Sequence, residues 1–275
     1  RLHPLTLSVS KQLMPIYDKP MIYYPLSTLI AAGIHEILII STPEDLPLFE
    51  RLLGDGSQWG CAFSYAEQAE PKGLAEAFII GESFIGESSV ALILGDNLFH
   101  GGKFSEQLAA LDKIDGGHIF AYQVKDPERY GVVAFDTKNR IISLEEKPEQ
   151  PKSSFAVPGI YFYDNTVVQK AKNLRPSKRG ELEITDINKS YLAEQMLRLT
   201  PLEVGSAWLD TGTIESLMEA SQYVQALQSR QGVLVGSPEV AAYTSKAISL
   251  EQLLEIANKM TYTPYGEAIK SLATR

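Results

Sequence analysis

Val90-Ala91-Leu92-Ile93-Leu94-Gly95-Asp96-Asn97 decides the fold. Five apolar residues in a row, cut off by glycine, aspartate and asparagine, read as a strand buried on both faces that ends at a turn. A second such strand covers residues 36–40. It follows a helix-like stretch over 21–32 that stops at Gly33, a common residue just past a helix end. Thr42-Pro43-Glu44-Asp45 reads as the next helix start, with Thr42 as cap and Pro43 in the first turn. Residues 61–66 are then expected as a strand and 74–80 as a helix. Continuous apolar strands separated by helices argue for an α/β fold with a parallel sheet covered on both faces. In such sheets ligands sit beyond the carboxyl ends of the strands, which is where Gly95-Asp96-Asn97 falls.

The middle of the chain changes character. Residues 119–124, 132–135, 141–144 and 157–163 read as strands with little helix between them, and Thr137-Lys138-Asn139 as a hairpin turn. These strands add mixed or antiparallel pairing to the central sheet. Helices are expected over 165–173, 183–195 and 213–227. The tail carries Leu250, Leu253, Leu254 and Ala257 at helical spacing, so residues 229–275 are expected as a small helical appendage to a domain spanning 1–228.

Composition narrows the function. The chain has 275 residues, 44% hydrophobic and 21% charged, with 25 Lys+Arg against 34 Asp+Glu and a formal charge of −9. A net-acidic chain lacks the cationic footprint that bulk nucleic-acid binding needs, although a few placed cations can hold a small phosphorylated ligand. One cysteine, Cys61, excludes an intrachain disulfide and a cysteine zinc cluster, and suits a reducing, cytoplasmic setting. No apolar run approaches the roughly 20 residues that cross a bilayer, and no signal peptide opens the chain. The sequence begins at Arg1-Leu2-His3-Pro4, without an initiator Met, and reads as starting inside a loop; residues upstream are expected.

Asp96 and Asp210 carry the clearest chemical signal. Each follows an apolar stretch, Asp210 within Ala207-Trp208-Leu209-Asp210-Thr211-Gly212. Two oxygen donors from separate loops suit Mg²⁺, which keeps waters and takes its remaining ligands from substrate phosphates. Either aspartate alone could equally be a cap or turn residue. Lys11, Lys147 (in Glu145-Glu146-Lys147-Pro148) and Arg179 (in Lys178-Arg179-Gly180-Glu181) are candidate phosphate cations, or else solvated surface charges. Gly73 and Gly131 could open backbone N–H groups to a ligand or be plain turn glycines. His3, His35, His100 and His118 show no metal-ligand spacing and are read as structural.

Taken in order, these segments resemble the sugar nucleotidyltransferases, and among them the glucose-1-phosphate thymidylyltransferases. The resemblance runs through Ser10-Lys11-Gln12-Leu13-Met14-Pro15-Ile16-Tyr17-Asp18-Lys19-Pro20, Leu53-Gly54-Asp55-Gly56-Ser57, Gly95-Asp96-Asn97 and Asp126-Pro127-Glu128-Arg129-Tyr130-Gly131. It continues through Glu145-Glu146-Lys147-Pro148, Gly159-Ile160-Tyr161-Phe162-Tyr163, Arg179-Gly180-Glu181-Leu182-Glu183-Ile184-Thr185-Asp186 and Trp208-Leu209-Asp210-Thr211-Gly212. The resemblance implies a Rossmann-like nucleotidyltransferase fold, a mixed sheet flanked by helices, and the reaction of dTTP with α-D-glucose 1-phosphate to give dTDP-glucose and pyrophosphate, the first step of dTDP-rhamnose synthesis. It implies Mg²⁺ on Asp96 and Asp210. It places Arg1 and Lys11 at the transferring phosphate, and Gln12, Gln68, Gly73 and Asn97 around the nucleotide. Gly131, Glu146, Val157 and Tyr161 match positions around the sugar, and Lys147 and Arg179 positions that hold its phosphate. It also implies a homo-oligomer, often a tetramer.

Three departures accompany the resemblance. The family's glycine-rich phosphate loop belongs immediately before Arg1, Leu98-Phe99-His100-Gly101-Gly102 differs from the usual residues there, and Pro158 stands where threonine is common. Three alternatives stay open at this level: the same reaction with UTP, CTP or another sugar phosphate, an inactive homologue that senses nucleotide sugars, and a glycosyltransferase of the same fold class.

Overall fold

The computed structural model describes residues 2–101, 103–111 and 113–273. A short hairpin of β1 (Pro15–Ile16) and β2 (Lys19–Pro20) leads into helix α1 (Tyr23–Ala31), strand β3 (Glu36–Ser41), α2 (Leu46–Leu53), β4 (Ala62–Glu67), α3 (Glu76–Ile80) and α4 (Glu82–Ile85). Then come β5 (Val90–Ile93), β6 (Asn97–His100), α5 (Phe104–Ala109), β7 (Gly117–Gln123), β8 (Gly131–Phe135), β9 (Ile141–Glu146), β10 (Phe155–Ala156) and β11 (Ile160–Tyr163). Helices α6 (Val167–Asn173) and α7 (Ile184–Ala193) precede β12 (Leu197–Pro201) and β13 (Ala207–Asp210). The chain closes on α8 (Ile214–Gln231), α9 (Pro238–Thr244), α10 (Leu250–Lys259) and α11 (Pro264–Ala273).

The sheet is mixed. β3 and β4 pair parallel in a two-stranded sheet of their own. The main sheet runs β5-β11-β7-β10-β8-β9 with antiparallel neighbours, and β12 joins β7 in parallel. So β5, expected beside parallel strands, takes the antiparallel β11 instead. β3 and β5 stand in different sheets and do not pair with each other.

Period-two alternation makes the main sheet the divider between two cores. Ile119 and Ala121 of β7, with Tyr161 and Tyr163 of β11, face a cluster built with Phe78, Ile184, Ile187 and Tyr191. The intervening Phe120, Ile160 and Phe162 face Phe99, Phe104, Leu108 and Trp208. Both faces are covered, which is why these strands read as unbroken apolar runs. A third cluster joins Leu26, Ile30, Phe49 and Leu53 to Ile248, Leu253 and Ile269, so helices α9–α11 share a core with the N-terminal third of the chain. Each fully buried large apolar side chain of this kind contributes roughly 1.5–3 kcal/mol.

Local differences from the sequence expectations have physical reasons. Helix α2 begins at Leu46, not after Thr42: the Thr42 hydroxyl accepts the Asp45 N–H at 3.2 Å and makes a turn, leaving Pro43 outside the helix. The strand expected over 157–163 begins only at Ile160, as β11; Val157-Pro158-Gly159 separates it from β10, because Pro158 cannot donate to a ladder. The residues that follow the turn at Asp96 form strand β6. Strand β12 was not legible, since Leu197 to Pro201 lacks a clean apolar run. Ser249, by contrast, caps α10 through a full capping box with Gln252.

Candidate active site

Asp96 lies in the turn between β5 and β6. β6 pairs antiparallel with β13, and that register sets Asn97 opposite Asp210. Thr211 ties the two segments again: its backbone N–H and its hydroxyl both donate to the Asp96 carbonyl oxygen, at 3.2 and 2.7 Å. Asn97, only 3% exposed, is the internal brace. Its Oδ1 accepts from Trp208 Nε1 at 2.6 Å and from the Gly159 N–H at 3.1 Å, while Nδ2 donates to Asp96 Oδ1 at 2.9 Å. A two-strand ladder thus carries two acids, 114 residues apart in sequence (210 − 96), to one place.

Asp96 and Asp210 line one pocket of about 350 Å³ with Leu2, Thr6, Lys11, Lys147 and Gly212. Lys11 Nζ pairs with Asp96 Oδ2. Arg129 Nη2 lies 3.9 Å from Asp210 Oδ2. Burial, followed by the nearby Asp96 charge, raises the Asp210 carboxyl above the ordinary carboxylate range, and Lys11 and Arg129 oppose that rise. Among the described residues no group of three or more His, Cys, Asp or Glu side chains is arranged to hold a metal ion. Two hard oxygen donors remain, which leaves further coordination positions to water and ligand.

The residues expected around the nucleotide fall on the other side of Asp96. Gln12, Gln68 and Gly73 line one cavity together with Lys11, Gly95 and Asp96. Gln68 Nε2 donates to Glu76 Oε2 at 2.7 Å. Gly73 has φ +104°, and a Cβ there would sit 2.5 Å from the backbone of Leu182, so only glycine lets this loop dock against the segment that carries Arg179 and Glu183. Asn97 stands behind these residues as the brace described above.

The residues expected around the sugar gather at the paired ends of β8 and β9. Gly131 faces Glu146 in register, and Val157 N–H donates to the Gly131 carbonyl at 2.8 Å. Thr185, at the start of α7, donates its hydroxyl to Glu146 Oε2. A Cβ on Gly131 would press within 3.2 Å of that hydroxyl and 3.4 Å of Glu146 Oε2. Lys147 turns out of β9 with φ +42°, a left-handed conformation unusual for lysine, and so enters the Asp96–Asp210 pocket. Tyr161 is buried on β11, its hydroxyl pKa raised by burial and then by the charges of Glu146 and Asp96. Arg179 is held by Glu183: Nη2 reaches both carboxylate oxygens at 2.7 and 2.8 Å, with Glu181 at 3.3 Å and Glu146 at 3.6 Å. Arg1 lies outside the described residues.

Four residues with a place in this geometry were not singled out from the sequence: Arg129, Thr185, Glu183 and Trp208. All stand within motifs quoted above, yet nothing in their local pattern separates them from their neighbours.

The fold and site together define a nucleotidyl transferase, and the chain belongs to that family, whose model matches residues 1–226. Over 275 residues it is 53% identical to the glucose-1-phosphate thymidylyltransferase of Mycolicibacterium smegmatis, covering all of this chain and 96% of that protein. Over 273 residues it is 53% identical to the enzyme of the same name from Neisseria meningitidis, covering 99% of this chain and 95% of that one. Among solved structures, a Bacillus anthracis chain described as a glucose-1-phosphate thymidylyltransferase, in complex with a sucrose, superposes with a TM-score of 0.74 at 38% identity over 81% of this chain and 89% of its own. A UDP-glucose pyrophosphorylase complexed with UDP-glucose gives a TM-score of 0.71 at 25% identity, over 82% and 94% of the two chains. Among the described residues no helix is long and apolar enough to cross a membrane.

Proposed function

We propose that this chain transfers a thymidylyl group from dTTP to α-D-glucose 1-phosphate, giving dTDP-glucose and pyrophosphate. One observation carries the reading. The β6–β13 ladder brings Asp96 and Asp210 into one pocket with Lys11 and Lys147, and Lys11 and Asp96 also line the cavity that holds Gln12, Gln68 and Gly73. Relatives named glucose-1-phosphate thymidylyltransferase, matched over the full chain, support the substrate pair.

In the reaction an oxygen of the sugar phosphate attacks the α-phosphorus of dTTP. The new P–O bond forms as the bond to the β-phosphate bridging oxygen breaks, and pyrophosphate leaves with the electron pair. The nucleophile is already anionic, so the protein's work is to bring two polyanions into line and to balance their charge. Lys11 supplies a compact positive charge beside Asp96, and Lys147 and Arg179 hold the attacking phosphate. Glu146, fixed by Thr185, accepts hydrogen bonds from sugar hydroxyls and disfavours analogues that leave it unpaired. Asp96 and Asp210 would hold Mg²⁺, which when bound neutralises phosphate charge. Arg1 is assigned to the transferring phosphate on the family resemblance.

The family match over 1–226 supports a transferase domain at 1–228 with residues 229–275 as its helical appendage. A homo-oligomer is carried over from the family resemblance, and light scattering would measure it. A cytoplasmic setting is supported by the lone, buried Cys61.

The test mixes the protein with glucose 1-phosphate, Mg²⁺ and, in parallel, dTTP, UTP, CTP or ATP, and follows pyrophosphate. Release with dTTP well above the others is expected; none with any nucleotide would refute the reading. Lys147→Ala should raise the KM for glucose 1-phosphate more than that for dTTP.

A further inference from the structure

Each acid of the central pair has a cation within ion-pair distance, and the Lys11 charge acts on Asp210 as well. Lys11 pairs with Asp96, and Arg129 reaches Asp210 from the turn between β7 and β8. Lys11 has a place in the reaction described above; Arg129 has none so far, although its contacts reach beyond its half-exposed pair with Asp126. Its Nη1 donates to Asp126 Oδ2 at 2.6 Å, so the fork is aimed and not free in solvent. The guanidinium lies 5.3 Å from the centre of the Tyr130 ring, and Tyr130 leans on Trp208 at 5.0 Å. Trp208 is the indole that braces Asn97. Arg129 is therefore mounted on the same framework as the acids.

Its contact with Asp210 is nevertheless loose. At 3.9 Å it exceeds the roughly 2.7–3.2 Å of an N–H···O hydrogen bond, and the Arg129 side chain is 37% exposed. A charge contact of that length at a half-open site is easily exchanged. A cation bound to Asp210 would repel the guanidinium, while arriving phosphates would attract it, and its planar fork matches phosphate oxygens. We propose that Arg129 is an exchangeable counter-ion, neutralising Asp210 in the resting protein and passing to a phosphate oxygen of the substrates when a divalent cation takes that carboxylate. The proposal rests on the metal assignment made above and deepens it.

The experiment titrates Mn²⁺ into substrate-free wild type, Arg129→Ala, Arg129→Lys, Asp126→Asn and Asp210→Asn, followed by electron paramagnetic resonance, with steady-state kinetics on each. Arg129→Ala should bind Mn²⁺ about 3- to 10-fold more tightly, because a competing positive charge is gone, yet lose about 10- to 100-fold in kcat/KM. Arg129→Lys should fall between. Asp126→Asn, which frees the guanidinium for Asp210, should weaken Mn²⁺ binding, and it reads the proposal even if Arg129→Ala fails to fold. A purely structural role would leave Mn²⁺ affinity unchanged or lower it in Arg129→Ala; either result overturns the proposal, as does full turnover in that variant. If Asp210→Asn binds Mn²⁺ like wild type, the metal assignment falls and takes the proposal with it. If wild type releases no pyrophosphate, the proposed reaction fails whatever the Arg129 results.

Discussion

At the Asp96–Asp210 corner, cations touch their acids without enclosing them; at the Arg179 corner, one cation is gripped by three carboxylates. Asp210 sees Arg129 only at 3.9 Å, and the pocket also admits Lys11 and Lys147. Arg179 instead gives both ends of the Glu183 carboxylate short hydrogen bonds, and these hold its pKa above even the ordinary arginine value. The difference teaches how one site serves two needs. A corner whose ligands arrive with the substrates must let its charges rearrange. Under the proposed function the Arg179 corner would fix one end of a sugar phosphate and gain from being set in advance, because ordering then costs less on binding.

The contrast can be broken most severely at the acids. Asp96→Asn or Asp210→Asn should lower turnover by about 10³-fold or more while circular dichroism stays native, since each keeps its shape and loses its charge. Near-normal turnover in either would place the metal elsewhere. A smaller effect is expected at the gripped corner. Glu183→Gln removes the charge that clamps Arg179 and should raise the KM for glucose 1-phosphate about 10-fold, with little change for dTTP. An equal rise for both substrates would mean that the two corners are not separate. Thr185→Val, which takes the donor from Glu146, should cost about 3- to 10-fold in kcat/KM for glucose 1-phosphate and relax discrimination against its epimers.

The smallest effect tests the sheet behind the sugar corner. Burial, helped by the Arg198 charge, pushes the His118 imidazole on β7 down to about 4 from an ordinary value of 6.5. Between those values the unfolded chain binds a proton that the folded chain refuses, so stability rises with pH there and is lost as pH falls from 6.5 toward 4. His118→Gln should flatten that fall in thermal midpoint while leaving activity at neutral pH unchanged. An undiminished slope would assign the acid sensitivity to another group.

Much of the frame was legible because local physics wrote it. The apolar run from Val90 and the helical spacing of Leu250, Leu253, Leu254 and Ala257 each act through near neighbours. The sugar corner was half legible: Glu146, Lys147 and Arg179 stand in recognisable segments, but Thr185 and Glu183 gain meaning only when α7 docks beside β9. Arg129 was not legible at all, since its partner across the pocket is 81 residues away (210 − 129).

By itself, the sequence determined the α/β character through its local apolar patterns, and the resemblance of its ordered motifs pointed to the family and to the pair of acids. Only the tertiary structure decided that β5 pairs antiparallel with β11, that β6 and β13 bring Asp96 and Asp210 together, and which cation faces which acid. Strand partnership and charge pairing are chosen by non-local packing, where burying both sheet faces outweighs what any single segment prefers.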